Sequence, residues 1–449
     1  MRLIFKPLLL LERLRSTYWF VPLMVTAGCA GLAFGLVAVD RRLSPGSSLG
    51  WMYEGGAEGA RAVLSAVAGS TMTVVGVTFS VIVVALTVAS QHFGPRLLNN
   101  FMRDNVSQLV LGTFTGTFVY CLVVLRTVQG DGGDLYDRFI PHVAVTGGLA
   151  LALGSVLVLI YYVHHVAKSM QVSEITQSVA RELERAIDRM YPARFGAEAA
   201  SDNPSRPPVP AAGWPVASSA SGYVQDVDAT AVLALASEHD TTIWIVGDPG
   251  AFVIEDQPLA VVSPAPADPA ALERRLRDAF VLGNDRSSHQ DVGFAVQQLV
   301  EVALRALSPG TNETFTAVIC IDRLGAGLAR VAGRHVPGGV RLDEHGKVRV
   351  IATPTTFVTL LDASFGVLAM HMDRDAIIAS RLLDALHRLV SAARRPEDRL
   401  AIGRVADRVL QVAEQRLEHQ EDRASVQRLH QVVQNSLALR ADPARPNPV

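Results

Sequence analysis

The sequence predicts a membrane α-helical protein in which four transmembrane helices, with both termini cytoplasmic, precede a C-terminal α+β cytoplasmic region containing a small β module. The stretch Ala62–Ala89 is 28 residues long and has no charged side chain. As a helix it would span about 42 Å, more than the roughly 30 Å hydrocarbon core of a bilayer. The other apolar runs also lie before about residue 167, and the remainder is charged and helix-rich.

Composition excludes several classes of protein. The 449 residues are 49% hydrophobic and 19% charged, and the net charge of −2 gives no bulk basicity, so nucleic acid is not an expected partner. The three cysteines, Cys29, Cys121 and Cys320, are far apart in the sequence. They support neither a disulfide framework nor a zinc site, and neither a metal nor a cofactor is expected.

The first apolar run, Tyr18–Val39, predicts an uncleaved span. Basic residues precede it, as in a signal peptide, but Asp40-Arg41-Arg42 follows it where a cleavage site would have small residues. We therefore predict a transmembrane domain over residues 1–168. Its spans are expected at about 17–39, 62–92, 106–128 and 140–166.

The distribution of basic residues predicts the orientation. The segments before span one, between spans two and three and after span four contain 10 basic residues, against 5 on the opposite side. The positive-inside rule assigns the more basic side, which holds both termini, to the cytoplasm. We expect a multi-pass membrane protein with both termini in the cytoplasm.

Small and hydroxylic side chains follow one face of the second and third spans, at steps of three, four or seven residues. Either they allow close helix packing, or they form a mildly polar pore lining in an oligomer. The middles of the spans contain no Asp, Glu, Lys or Arg, which argues against a proton-coupled carrier. The stripe residues are Thr73, Gly76, Ser80, Thr87, Gln91, Gln108, Gly112, Thr115 and Gly116.

Two groups of residues are predicted at the inner interface. Arg96 and Arg103 lie on a short amphipathic segment between spans two and three, which either anchors the chain or gates it. His164 and His165 end span four. Adjacent helical residues point about 100° apart, so a metal site is disfavoured, and ordinary boundary residues or pH-responsive groups are the alternatives.

The polar remainder divides into five predicted parts. They are a juxtamembrane helix (169–192), a Pro-rich linker (193–217), a small β module (218–265), a helical α+β domain (266–440) and a disordered tail (441–449). The β module resembles the barrel-sandwich folds of lipoyl and biotinyl domains. It has no lysine between Ser221 and Val262 to carry a swinging cofactor, so a structural or docking module is expected.

Five polar residues in the helical domain suggest either the boundary of a buried helix-turn-helix core or a binding niche. Ser308-Pro309-Gly310 ends one amphipathic helix, and Thr311 or Asn312 can cap the next. The five residues are Asp291, Gln297, Arg305, Asn312 and Glu313.

Two long segments, residues 73–122 and 290–324, are similar to a bacterial family of predicted membrane proteins, domain of unknown function 2254. The resemblance extends from about residue 10 to 435. It implies a membrane topology and brings no activity with it.

No sequence signature of catalysis accompanies these features, and we expect that the protein is not an enzyme. The first hypothesis is a homo-oligomeric, channel-like or conductance-regulating protein with a cytoplasmic assembly and sensing domain. Its partners would be the lipid bilayer, further copies of the chain, and an ion or small ligand. The second is a non-conducting scaffold or sensor that binds a cytoplasmic partner. A third, an enzyme at the inner interface, has no residue set to support it.

Overall fold

The computed structural model describes residues 19–42, 53, 55–93, 105–129, 139–169, 171–191, 207–265, 268–334 and 338–441. The chain divides into two units, Met1–Gln171 and Val172–Val449. Several predicted features lie outside the described residues: the amphipathic segment with Arg96 and Arg103, the linker up to residue 206, and the tail from residue 442.

Among the residues that the structure describes, the first unit has four helices long and apolar enough to cross a membrane. This confirms the predicted number of spans. Helix α2 begins five residues before the predicted span, and its first turns include the charged residues Glu58 and Arg61. The helices are α1 Phe20–Asp40, α2 Ala57–Phe93, α3 Asn105–Thr127 and α4 His142–Ser169.

Helix α3 is the central helix of this unit and packs against α1, α2 and α4. In the most apolar 18-residue stretch of α3, 50% of the residues are buried within the chain, against 11% in the corresponding stretches of α1 and α2. Leu64, Tyr120, Val124 and Ala144 are completely buried in one apolar cluster. Side chains of the chain itself therefore fill the space between these helices.

Polar contacts also join the helices. Thr117 Oγ1 lies 3.2 Å from Ser155 Oγ, and the Tyr120 hydroxyl donates to the Ala144 carbonyl at 2.7 Å. The Asp40 carboxylate, at the end of α1, accepts the amides of Val143 and Ala144, each at 2.9 Å. It thereby caps the start of α4 with a group from another helix.

The second unit begins with α5, Val172–Met190, whose apolar face packs against two helices of the same unit. Val179, Leu183 and Ile187 are buried on that face. The approach is close at Gly327, where an added Cβ would lie 2.7 Å from Leu183 Cδ2. The predicted juxtamembrane helix is thus a packed component of the second unit.

Two small sheets follow. A five-stranded sheet has the order β1-β5-β3-β8-β7, and a three-stranded sheet has the order β4-β2-β6. The strands are β1 Trp214–Ala217, β2 Gly222–Val227, β3 Thr242–Ile245, β4 Phe252–Val253, β5 Pro258–Ser263, β6 Phe280–Gly283, β7 Val340–Leu342 and β8 Val348–Ile351.

This arrangement differs from the barrel-sandwich-like module expected over residues 218–265. The strands of that range do not close on one another: β3 and β5 pair together, and β2 pairs with β4 and β6. On its other side β3 pairs in parallel with β8, where Ile243 opposes Val350. The end of the expected linker contributes β1, which pairs with β5. The sequence pattern of a strand is local, whereas partners such as β3 and β8 are far apart in the chain. The pattern therefore did not indicate which strands pair.

Helices Ala229–Glu238 and Pro269–Arg277 pack against the sheets, and the later helices of the second unit pack on one another. Asp228, Asp268, Asp291 and Asp375 cap four of them through side-chain oxygens. A five-residue π-helical turn, Asp362–Gly366, lies between the helices Phe357–Leu361 and Val367–His371. The helices are α6 Ala229–Glu238, α7 Pro269–Arg277, α8 Val292–Ala306, α9 Thr314–Ala332, α10 Phe357–Leu361, α11 Val367–His371, α12 Ala376–Ala392, α13 Pro396–Arg416 and α14 Gln420–Ala441.

Candidate functional site

The small-residue stripe of α2 faces away from the other helices of its own unit. Thr73, Gly76, Ser80 and Thr87 are all exposed, whereas Leu64, Ala68, Thr71 and Thr78 on the opposite side of the helix are buried. Nothing lies within 4 Å of a Cβ added to Gly76. The stripe is therefore an outward surface of the chain. Gln91 belongs to the same helix, but its side chain lies outside the described residues.

The hydroxyls of this α2 stripe donate to the backbone of their own helix. Thr73 Oγ1 donates to the Gly69 carbonyl at 3.0 Å, Ser80 Oγ to Gly76 at 2.9 Å, and Thr87 Oγ1 to Val83 at 2.9 Å. Each oxygen retains acceptor capacity toward the outside. A shallow groove of about 510 Å³ follows the stripe, and its remaining lining is apolar: Val77, Val81, Val84 and Ala85.

The corresponding stripe of α3 is an internal packing surface. A Cβ on Gly112 would lie 2.9 Å from Pro22 Cα, and one on Gly116 would lie 2.7 Å from Cys29 Sγ. Gln108 is buried and Thr115 is half-buried. The structure thus separates two sets of residues that one sequence pattern had grouped, because the α3 set faces α1 and the α2 set faces outward.

The paired histidines at the end of α4 have different surroundings. His164 is exposed, while His165 is half-buried and stacks on Tyr161 with ring centroids 6.0 Å apart. Over the part of the chain that the structure describes, no group of three His, Cys, Asp or Glu side chains could hold a metal ion.

In the second unit, an arginine that sequence reasoning missed joins two of the five niche residues. Arg286 Nε and Nη2 donate to Asp291 Oδ2 at 2.9 and 2.5 Å, and Nη1 donates to Gln297 Oε1 at 2.5 Å. The guanidinium also lies over the Phe294 ring, 5.2 Å from its centroid. Asp291 Oδ1 accepts the Phe294 amide and caps α8. Arg286 therefore fills the position where the niche was expected.

The other three predicted niche residues lie at the opposite end of α8. That helix has 15 residues, so about 22 Å separates its ends. Arg305 Nη2 lies 3.9 Å from Glu301 Oε1, and Glu313 Oε2 accepts the Thr316 hydroxyl at 2.9 Å. Asn312 has a positive φ of 49° in the turn before α9. The five residues thus do not form one niche, and the helix-turn-helix core is the arrangement found.

A groove of about 500 Å³ between α9, α12 and α14 was not anticipated. Its apolar rim includes Phe315, 74% exposed, and Ile377, 52% exposed. Its polar lining includes Arg381, which donates to both oxygens of Asp322 at 2.6 and 2.5 Å. Hydrogen bonding to Asp322 raises the pKa of the Arg381 guanidinium. None of these side chains was predicted from the sequence as a site residue; Phe315 is the second residue of α9.

The comparisons with known proteins identify relatives over most of the chain. The family described as predicted membrane protein (DUF2254) matches residues 15–388. The chain is 33% identical over 426 residues to the uncharacterized protein Rv1290c of Mycobacterium tuberculosis and to the uncharacterized protein Mb1321c of Mycobacterium bovis. Each alignment covers 93% of this chain and 80% of the relative. No solved structure matches. The chain therefore belongs to the DUF2254 family of predicted membrane proteins.

Proposed function

We propose that the protein is a homo-oligomeric, channel-like or conductance-regulating protein of a bacterial inner membrane. In this proposal it is not an enzyme, and its second unit lies in the cytoplasm, where it serves assembly and sensing. The observation that carries the proposal is the outward position of the α2 stripe, Thr73, Gly76, Ser80 and Thr87, on a 37-residue helix.

The packing of the first unit supports a path between copies of the chain. Leu64, Tyr120 and Val124 are completely buried among the helices, so the interior of one copy is closed by its own side chains. Hydroxyl oxygens and the exposed Gly76 lie on the outer surface instead. Several copies arranged with this surface toward a common axis would surround a mildly polar path.

The charge distribution supports the orientation. With both termini inside, 10 basic residues in the connecting and flanking segments fall on the cytoplasmic side and 5 on the other. The second unit follows α4 directly and shares that side. Its size and packed core suit an assembly domain.

Conductance with site-specific thiol modification tests this proposal. The full chain carrying Ser80→Cys, in planar bilayers, should conduct, and a positively charged, water-soluble methanethiosulfonate should change the current. The matched control is Phe79→Cys. Its side chain is 55% exposed but points about 100° away around the helix, so its modification should leave the current unchanged. The same reagent applied to the unsubstituted chain measures any change in current that comes from modification of Cys29.

Two results would contradict the proposal. One is the absence of conductance under tension, changed pH and changed salt. The other is a monomer in detergent, measured by light scattering coupled to size-exclusion chromatography. If the reagent changes the current equally in the Phe79→Cys and Ser80→Cys variants, the stripe face of α2 is not the face that lines the path. The outward position of the stripe would then no longer support the proposal.

The groove between α9, α12 and α14 favours the second candidate, a non-conducting scaffold or sensor. Phe315 and Ile377 are exposed on its rim beside the charged Arg381. This candidate predicts one stoichiometric cytoplasmic partner that co-purifies with the native chain and is lost from a Phe315→Ser, Ile377→Ser variant. Retention of the partner by that variant would contradict it.

A further inference from the structure

The outward face of α5 has arginines that the described residues of the second unit do not neutralise. Arg181, Arg185 and Arg189 follow one another at four-residue steps, and all three are exposed. Arg189 donates to the backbone carbonyls of Ser288 and His289. For Arg181 and Arg185, the described residues provide neither a hydrogen bond nor an ion pair.

The acidic residues of the same stretch of α5 have partners in the helical body. Glu184 Oε2 lies 3.1 Å from Arg330 Nη1, and Asp188 Oδ1 lies 2.7 Å from Arg334 Nη2. Glu182 accepts the Ser288 hydroxyl. These three carboxylates are therefore paired with groups of the helical body, although Glu184 and Asp188 remain 46% and 50% exposed. Glu174, seven residues before Arg181, is the other acidic residue of α5, about 10 Å away along the axis.

The short sequence distance from the last candidate span limits how far these arginines can lie from a membrane. Helix α4, a candidate span, ends at Ser169, and α5 begins at Val172. Only two residues lie between them, and Arg181 follows nine residues into α5, or about 14 Å of helix. Basic residues immediately beyond a span meet the negative potential of anionic lipids. A guanidinium also matches the geometry of a phosphate, with two parallel donors.

We propose that Arg181 and Arg185 form a recognition surface for the phosphate headgroups of anionic membrane lipids. This inference does not require that the protein conducts ions. It requires only that α5 lies next to a bilayer, on whichever side of the membrane the second unit is found.

Native mass spectrometry of the full chain in detergent tests the proposal, with phosphatidylglycerol as the probe and phosphatidylcholine as the neutral comparison. Arg181→Gln, Arg185→Gln should bind phosphatidylglycerol about 25-fold more weakly, since each arginine near an anionic surface contributes roughly fivefold. Binding of phosphatidylcholine should not change. Arg181→Lys, Arg185→Lys keeps the charge and should retain most of the affinity.

The matched control is Arg394→Gln, Arg404→Gln, which removes two exposed arginines of the same unit for which the described part of the chain has no ion pair. It should bind phosphatidylglycerol like the unsubstituted chain. Unchanged thermal unfolding of the Arg181→Gln, Arg185→Gln variant would show that it is folded. Equal phosphatidylglycerol affinity in that variant and the unsubstituted chain would overturn the proposal. Displacement of the lipid by millimolar inorganic phosphate would also overturn it, since it would indicate a site for free anions.

Discussion

Gly112 of α3 lies against the backbone of Pro22 in α1, so that a Cβ on Gly112 would come within 2.9 Å of Pro22 Cα. Side chains can rotate away from such an approach, but a helix backbone cannot. Together with Gly116 against Cys29, this contact fixes how closely α1 and α3 pack. Small residues have this role between membrane helices because they let two backbones approach.

Replacing Gly112 by alanine should therefore separate α1 from α3 and destabilise the first unit. Overpacking of this kind costs about 1–3 kcal/mol. We expect the apparent Tm of the detergent-solubilised chain, followed by size-exclusion chromatography after heating, to fall by several degrees. Gly28→Ala is the control, because nothing lies within 4 Å of a Cβ at Gly28. Equal Tm values for the two variants would show that the α1–α3 approach is not tight at Gly112.

The cap that Asp40 provides to α4 gives a second prediction. Its carboxylate oxygens each accept a backbone amide, from Val143 and Ala144, at 2.9 Å. Asp40→Ala leaves both amides without this acceptor and should lower stability by about 1 kcal/mol. Asp40→Asn keeps one side-chain oxygen and should lose less. The same heating assay measures both, and an alanine variant as stable as the asparagine variant would contradict the capping role.

The four spans could be predicted because their signal is local: a long run without charge is sufficient. The helix start at Ala57 could not, because the charged residues Glu58 and Arg61 interrupt the apolar pattern there. In the structure, Arg61 Nη2 donates to the Val128 carbonyl at 2.9 Å. Helical periodicity correctly grouped Thr73, Gly76 and Ser80 on one exposed face. Periodicity contains no information on which neighbour a face meets, so it could not distinguish the α2 stripe from the buried α3 stripe.

The second unit was less predictable because its contacts join distant parts of the chain. Strand β3 meets β8 about 100 residues later, through the pair Trp244 and Ile351, and no local pattern indicates that partner. The predicted niche failed for a similar reason. Asp291 attracted attention as a polar residue beside an apolar helix. In the structure it caps the start of that helix, and Arg286 is its ionic partner.

The pair of Arg286 and Asp291 gives the third prediction. Their side chains are only 19% and 8% exposed, so removal of one partner leaves a poorly solvated charge. Asp291→Ala should cost about 3 kcal/mol in the free energy of unfolding, since it breaks the pair and removes the cap of α8. Asp291→Asn retains a capping oxygen and should cost less. Urea unfolding of the full chain in detergent, followed through tryptophan fluorescence, gives the values.

The bidentate pair of Arg275 and Glu238 is a matched comparison. Its distances are 2.8 and 2.7 Å, but its side chains are 36% and 53% exposed. Exposed pairs contribute little, so Glu238→Gln should lower the urea midpoint much less than Asp291→Ala. If Glu238→Gln and Asp291→Ala prove equally destabilising, burial is not what distinguishes the two pairs.

The last prediction concerns acid, and it rests on Asp343 in the turn between β7 and β8. Arg349 Nε donates to Asp343 Oδ2 at 2.7 Å, and the amides of His345 and Lys347 donate to Oδ1 at 2.9 Å each. These hydrogen bonds, that from Arg349 first, lower the pKa of Asp343 from 3.8 to about 2. A carboxyl with a depressed folded-state pKa stabilises the fold above its unfolded value and loses this contribution as the pH falls through the folded value. Stability from Asp343 should therefore be complete above about pH 5 and decline as the pH falls toward 2.

Comparison of the unsubstituted chain with Asp343→Asn isolates this contribution, because asparagine does not titrate. The urea midpoint should be lower in Asp343→Asn above about pH 5, and the two midpoints should converge as the pH approaches 2. Trp244, in the same sheet as β7 and β8, reports the transition by fluorescence. Asp278→Asn changes an exposed aspartate without a described partner and should leave the profile unaltered. A constant difference between the chain and Asp343→Asn from pH 6 to pH 2 would mean that Asp343 stabilises the turn through its shape and not through its ionised form.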